Sequence, residues 1–443
     1  MLGFSARGRA VRVAAGLLTT GVFAIGSTLA VAGTALADQN GGATATLGDF
    51  LHAGRIDVDG GVAYGGTVAL QDGGQQLAVY CIDLHHDTHD GVQYQETGWA
   101  QSTLSQNPDR GKIQWILQHS FPVVSAATLA GDIGASGLTD DQAAAATQAA
   151  IWHYSDHVDA QPENGTAAQL TAWLEQHAQD TAEPAPSLAL SPASVAGRGG
   201  LLGPVTVATS GSSVDVSLTG PSGVRLVDAA GKPVTSAVNG EKLYVDVPKG
   251  TAAGSAEVDA STTTALPVGR AFKAVDGSSQ TMILAGTAPV SVKAAAQARW
   301  APQGPVPAAN ATQDCKQGGV DITLTNGGDQ PWTARVGALT ETVAPGATKT
   351  VLVKEKEGQK YTITVTGPNF TRTFTGALTC QPTGGSHLPS PTPTPSASSS
   401  QPPLAETGAS SATPVIAGIG AGLVVVGGAA VFLLRKRRGN HSA

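Results

Sequence analysis

Thr139-Asp140-Asp141-Gln142-Ala143-Ala144-Ala145-Ala146-Thr147-Gln148-Ala149-Ala150-Ile151-Trp152-His153-Tyr154-Ser155 is the stretch that divides this chain into unlike parts. Thr139 with Gln142 three residues on is a capping box, and the alanine run behind it has the highest intrinsic helix propensity. The pattern predicts a helix from Asp140 to about Ser155. Within it Ala144, Ala145, Ile151 and Trp152 stand three or four residues from Gln148 and share its face. That face is apolar, so Gln148 points inward. A primary amide buried without partners costs about 1–3 kcal/mol, so something satisfies it or consumes it.

Around this helix, residues 44–183 differ from the rest. They hold four of the six tryptophans, Trp99, Trp115, Trp152 and Trp173. Thr166-Ala167-Ala168-Gln169 predicts the start of a second helix with Leu170, Trp173 and Leu174 on one face. Strands are expected earlier, over 62–70 and 77–84. In the second, alternation puts Val79, Cys81 and Asp83 on one face and Tyr80 and Ile82 on the other. A lone cysteine there is either inert and buried or kept for its reactivity.

Downstream the helix signals stop. Residues 186–296 carry short apolar or alternating runs broken by turn signals such as Asn239-Gly240, and 310–381 repeat the style in Val320-Asp321-Ile322-Thr323-Leu324-Thr325 before Asn326-Gly327. The expected fold is therefore a mainly β multidomain chain: an N-terminal α+β domain over 44–183, then two β-sandwich, immunoglobulin-like domains over 186–296 and 310–381. Cys315 and Cys380 bracket the last block. In a secreted chain they can form a disulfide, which would stabilise the fold by roughly 4 kcal/mol in the chain-entropy model; two free thiols are the alternative.

The two ends read as addresses. Arg7, Arg9 and Arg12 precede an apolar run and Ala35-Leu36-Ala37, so 1–37 reads as a secretory signal peptide. Residues 414–434 are uncharged and long enough to span a bilayer, and the tail 435–443 opens with Arg435-Lys436-Arg437-Arg438, which places it in the cytoplasm. Residues 382–403 are rich in Pro, Ser and Thr and cannot bury a core. As polyproline II they would reach on the order of 70 Å, a linker suited to crossing a thick wall.

Composition narrows the function. The net charge is −7, and charged residues make up only 13%. Residues 1–37 and 408–443 hold seven of the 26 basic residues and no acidic one, so 38–407 carries −14. That argues against a general nucleic-acid binder. Three cysteines exclude a disulfide-dense scaffold and a four-thiolate zinc site. No P-loop and no dinucleotide fingerprint occurs. His85-His86-Asp87-Thr88-His89-Asp90 has the density of a metal site but no distant ligand set, and is read as a polar loop.

Two resemblances organise these features. Tyr80-Cys81-Ile82-Asp83 together with Thr147-Gln148-Ala149-Ala150-Ile151-Trp152 resembles the thioester domain of Gram-positive surface adhesins, and Lys112-Ile113-Gln114-Trp115-Ile116-Leu117 with Phe121-Pro122 is similar to the same family. Leu404-Ala405-Glu406-Thr407-Gly408, the apolar span and the basic tail resemble the sortase signal of cell-wall proteins (404–408), with Ala405 where that pattern usually has Pro. The first resemblance implies an internal thioester between Cys81 and Gln148, supported by Tyr80, Asp83, Thr147, Ile151 and Trp152. It needs no cofactor or metal. It implies a partner surface bearing amines, such as protein lysines or polyamines, and a single-use covalent binder rather than an enzyme. The second implies cleavage by sortase between Thr407 and Gly408, with Leu404 in the recognised pentapeptide and Thr407 joined to peptidoglycan. The expected location is the outside of a Gram-positive cell, after a precursor that spans the membrane once. The other readings are a secreted cysteine hydrolase or acyltransferase using Cys81 with a histidine among His85–His89 or His153, and a purely structural wall protein.

Overall fold

The computed structural model describes residues 41–382. The signal peptide, the sortase pentapeptide, the apolar span and the basic tail lie outside the described residues, as does all of the linker but its first residue. Among the described residues no helix is long and apolar enough to cross a membrane.

The chain is mainly β. Its first strands are β1 (Thr44–Val58), β2 (Gly61–Asp72) and β3 (Gln75–Cys81). Asp59 and Gly60 both take positive φ, 47° and 84°, which is the two-residue turn that matches the twist of a hairpin. β4 (Gln93–Thr97) follows, then α1 (Arg110–Gln118), α2 (Ala126–Asp132), α3 (Asp140–Ser155), the short β5 (Ala160–Pro162) and α4 (Gly165–His177). α3 has the extent predicted. Its capping box is complete: Thr139 N donates to Gln142 Oε1 at 3.0 Å, and Gln142 N donates to Thr139 Oγ1 at 3.2 Å. α4 starts before Thr166. Its cap is Asn164, whose Oδ1 accepts from Thr166 N and Ala167 N.

The first sheet is completed from far along the chain. β6 (Ala271–Ala274) and β7 (Met282–Gly286) form a hairpin inserted between β3 and β4. The antiparallel order is β2-β3-β7-β6-β4-β1, and β1 pairs back onto β2, so six strands close into a ring with β5 on the edge of β1. The sequence placed 271–286 in the second domain by its position, whereas its hydrogen bonds belong to the first sheet.

A buried ion pair fastens this return. Arg270 Nε donates to Glu96 Oε1 at 2.8 Å, with both side chains buried. Glu96 also accepts from Ser187 N at 3.0 Å, from Ser187 Oγ, and from Ala43 N at 3.1 Å. Arg270 Nη1 reaches Glu183 Oε1 at 3.0 Å and Pro184 O at 3.2 Å, and the indole N–H of Trp99 donates to Gly269 O at 2.9 Å. Both oxygens of the Glu96 carboxylate are thus held, and their donors come from three separate segments.

The remaining strands build two sandwiches. One packs a four-stranded sheet (Arg225–Val227, Lys242–Val247, Gly200–Thr209, Leu188–Ser191) on a five-stranded one (Ser236–Ala237, Val214–Thr219, Gly254–Ala265, Pro289–Trp300, Ser194–Gly197). The other packs three strands on four between Pro307 and Ala377 around buried Trp332, Tyr361 and Phe370. Cys315 and Cys380 are disulfide-bonded at its end.

The two kinds of ion pair lead to opposite expectations. Arg270→Met leaves Glu96 buried without its cation and is expected to cost about 3–5 kcal/mol in denaturant unfolding. Arg225→Ala removes only the exposed pair with Asp246, 2.8 Å apart, and is expected to cost less than about 1 kcal/mol in the same measurement.

Candidate functional site

Cys81 is the last residue of β3, and Gln148 lies at the middle of α3. Both are buried. On one side β3 pairs with β7, Cys81 facing Met282. On the other side its ladder with β2 stops at Val68 and Val79, two residues short of Cys81. The Gln148 carboxamide takes the vacated place. Its Oε1 accepts from Cys81 N at 3.0 Å, and its Nε2 donates to Cys81 O at 2.9 Å. The side chain behaves as a one-residue strand neighbour, and this is how the buried amide is satisfied.

Glycines make the room. A Cβ on Gly65 of β2 would lie 2.6 Å from Trp152 Cη2 and 2.9 Å from Gln148 Cγ. On Gly66 it would lie 2.1 Å from His52 O, and on Gly54 of β1 3.0 Å from Ala145 Cβ. β1 and β2 therefore present a bare backbone surface to α3. Ala145, Ala149 and Trp152 face that surface, while Ala143, Ala146, Ala150 and Tyr154 pack on the other side with α1 and α4. α3 is buried nearly all round. Ala144 and Ile151, which helical spacing placed beside Gln148, belong to the second cluster.

The other predicted residues fall around this contact. Tyr80 is fully buried on the opposite face of β3, and its hydroxyl donates to Phe121 O at 2.8 Å. It also meets the Thr147 hydroxyl, and burial pushes its pKa up. Thr147 Oγ1 donates to Ala143 O at 2.9 Å. Asp83 does not face solvent: it is 2% exposed and lies 3.3 Å from His86 Nδ1. That contact is the main reason the His86 pKa is raised. The histidine-rich loop docks on the β6–β7 connection. His89 N donates to Ser279 Oγ at 3.2 Å, and Gln280 N donates to Asp87 O at 3.2 Å. Among the described residues no group of three or more His, Cys, Asp or Glu side chains converges as a metal-ligand set.

Asp156 had no sequence signal. It is the C-cap of α3, and its Oδ1 accepts from Leu84 N at 2.9 Å while its Oδ2 accepts from Ser155 Oγ at 2.7 Å. Burial pushes its pKa up to about 6, against the two hydrogen bonds, which pull it down. The Cys81 thiol is shifted up strongly, first by burial and then by the carboxylates of Asp156 and Asp83. The thiol is therefore protonated at neutral pH, the opposite of an activated thiolate.

The chemistry this geometry permits is acyl transfer at Gln148 Cδ. The Cys81 N–H already points at Oε1, where negative charge would develop when a nucleophile adds to the carbonyl. A preorganised backbone donor in a dry site is the usual device for stabilising such an oxyanion.

Two outcomes follow. Gly65→Ala is expected to destabilise the fold by about 1–3 kcal/mol in chemical denaturation, because Gln148 and Trp152 must move. For Asp156 the folded pKa lies above the ordinary carboxylate value. Between roughly pH 4 and pH 6 the folded state thus holds a proton that the unfolded state has lost, and stability falls as pH rises through that window. Asp156→Asn removes this loss, so its melting temperature minus that of the wild type is expected to increase from pH 5 to pH 7. A pH-independent difference would contradict the assignment.

Comparison with known proteins agrees with this geometry. Residues 78–180 match the family model described as thioester domain, and 302–377 match that described as bacterial phospholipase C, C-terminal domain. Among solved structures, the Bacillus anthracis TIE protein is 13% identical, covering 76% of this chain and 81% of that one, with a TM-score of 0.28. The thioester domain of the Enterococcus faecium TIE86 protein is 17% identical, covering 60% of this chain and 99% of that one, with a TM-score of 0.29. No curated protein matches the chain. The family-model match over 78–180 is what identifies a thioester domain in the N-terminal part of this mainly β protein.

Proposed function

We propose that this chain is a wall-anchored surface adhesin whose Cys81 and Gln148 condense to an internal thioester and then capture an amine. In condensation Cys81 Sγ bonds to Gln148 Cδ, the Cδ–Nε2 bond breaks, and Nε2 leaves as ammonia with the thiol proton. In capture an amine nitrogen bonds to Cδ, the Cδ–Sγ bond breaks, and the amine proton passes to Sγ. The product is an amide between Gln148 and the partner, with Cys81 free again. A thiolate is a far better leaving group than an amide nitrogen, since a thiol ionises with a pKa near 8.5. The reaction consumes the site, so the domain acts once per molecule.

The observation that carries this reading is the pair of hydrogen bonds between the Gln148 carboxamide and the Cys81 backbone inside a buried site. They bring the two residues named by sequence, 67 positions apart, into direct contact. The amine-bearing partner is a protein lysine or a polyamine. The sortase motif supplies the anchor: Leu404, Thr407 and Gly408 are the residues that would be read and cut before attachment to peptidoglycan. A cysteine hydrolase would need a stabilised thiolate, and both carboxylates near Cys81 act against one.

Intact mass spectrometry tests the reading. The 38–407 fragment is expected to be lighter by one ammonia than its sequence with the Cys315–Cys380 disulfide formed, and Cys81→Ala to show no such deficit. Methylamine should add once, at Gln148, and Gln148→Ala should not react. A wild-type chain of unshifted mass contradicts the proposal.

A further inference from the structure

Gln148 is not the sole link between α3 and the cysteine strand. Eight residues further on, Asp156 reaches the same stretch of chain at Leu84, three residues past Cys81. Along the helix the two contacts are about 12 Å apart at 1.5 Å per residue. Along the strand they are at most about 10 Å apart. Two bonds at this separation fix both the slide and the rotation of α3 against Cys81.

The two links are not equally durable. Condensation removes Nε2, and with it the hydrogen bond to Cys81 O. The Asp156 link involves no reacting atom. The helix also ends at this point: Asp156 N closes on Trp152 O at 3.0 Å, and His157 takes φ 58°, a left-handed conformation that stops the turn. Asp156 is thereby placed where its short side chain turns back to the strand. Its carboxyl is partly buried and satisfied by Leu84 N and Ser155 Oγ, with Asp83 and His85 as titratable neighbours. A buried carboxylate is costly to keep, and an apolar cap would be cheaper for stability alone.

We infer that Asp156 is a positioning residue for the thioester: its bond to Leu84 N holds α3 in the register that brings Gln148 Cδ to Cys81. A slip of one helical residue moves Gln148 by about 1.5 Å. Misplacement of that order can slow a reaction between two fixed groups by about 100-fold. The inference rests on the thioester reading given above.

The test uses the wild type, Asp156→Ala and Asp156→Asn, each as the full chain. The fraction of molecules lacking one ammonia is read by intact mass, and the melting transition is recorded beside it. Asparagine keeps an oxygen to accept from Leu84 N, and alanine does not. The expected result is a large deficit fraction in the wild type and in Asp156→Asn. In Asp156→Ala the fraction falls about tenfold or more while a cooperative transition remains. A wild-type chain without the mass deficit would defeat the thioester reading itself. With the wild-type deficit present, full condensation in Asp156→Ala overturns the positioning role. So does an Asp156→Asn chain as deficient as Asp156→Ala, or an Asp156→Ala chain with no cooperative transition, which would assign the residue to stability.

Discussion

A single carboxamide sits against the backbone of a single cysteine, and the surrounding fold is arranged to let it. Gln148 gives and takes one hydrogen bond each with Cys81, in the place where a neighbouring strand would otherwise lie. That requires β2 to part from β3 before Cys81. It requires a surface with no side chains, which Gly54 and Gly65 provide. It requires a helix slender enough to approach, which the alanines of α3 provide. The β6–β7 hairpin closes the far side of β3, so Cys81 is enclosed by a strand on one edge and an amide on the other. Burial of a polar group is tolerable only when its bonds are made, and here both are.

The electrostatics of the site favour latency. Burial and two nearby carboxylates hold the Cys81 thiol protonated. The same surroundings that disfavour a thiolate as nucleophile also disfavour it as a leaving group, which in the proposed reaction would protect the acyl bond until an amine of sufficient reach arrives. The Cys81 N–H at Oε1 works in the other direction, by favouring charge on the acyl oxygen. A site that stores a reactive bond for later use needs both tendencies.

Much of the site was legible in the sequence, because it is built from local signals. The capping box at Thr139 and Gln142 set the start of α3, and the position of Gln148 on an apolar face marked it as inward. Alternation along β3 placed Tyr80 and Cys81 on opposite faces. What stayed hidden depends on distant partners. Nothing local in 271–286 distinguishes a strand that pairs with its neighbours from one that returns to β3 and β4, and Arg270 meets Glu96 across 174 residues. The burial of Asp83 was not readable, because its cover, the loop docked on the hairpin connection, is itself nonlocal. Nothing local marks Asp156, and only the fold reveals that it reaches Leu84. Gly65-Gly66 within a strand pattern was a readable hint of close approach by another element.

A covalent bond between the Cys81 and Gln148 side chains is tested most directly by peptide mapping. The native chain is digested without reduction, and the fragments are sequenced by tandem mass spectrometry. One linked species is expected, which joins the Cys81 peptide to the Gln148 peptide and lacks an ammonia. After amine treatment it should separate into a free Cys81 peptide and an amine-modified Gln148 peptide. Recovery of both peptides unlinked from untreated protein, with the Gln148 amide intact, would contradict it.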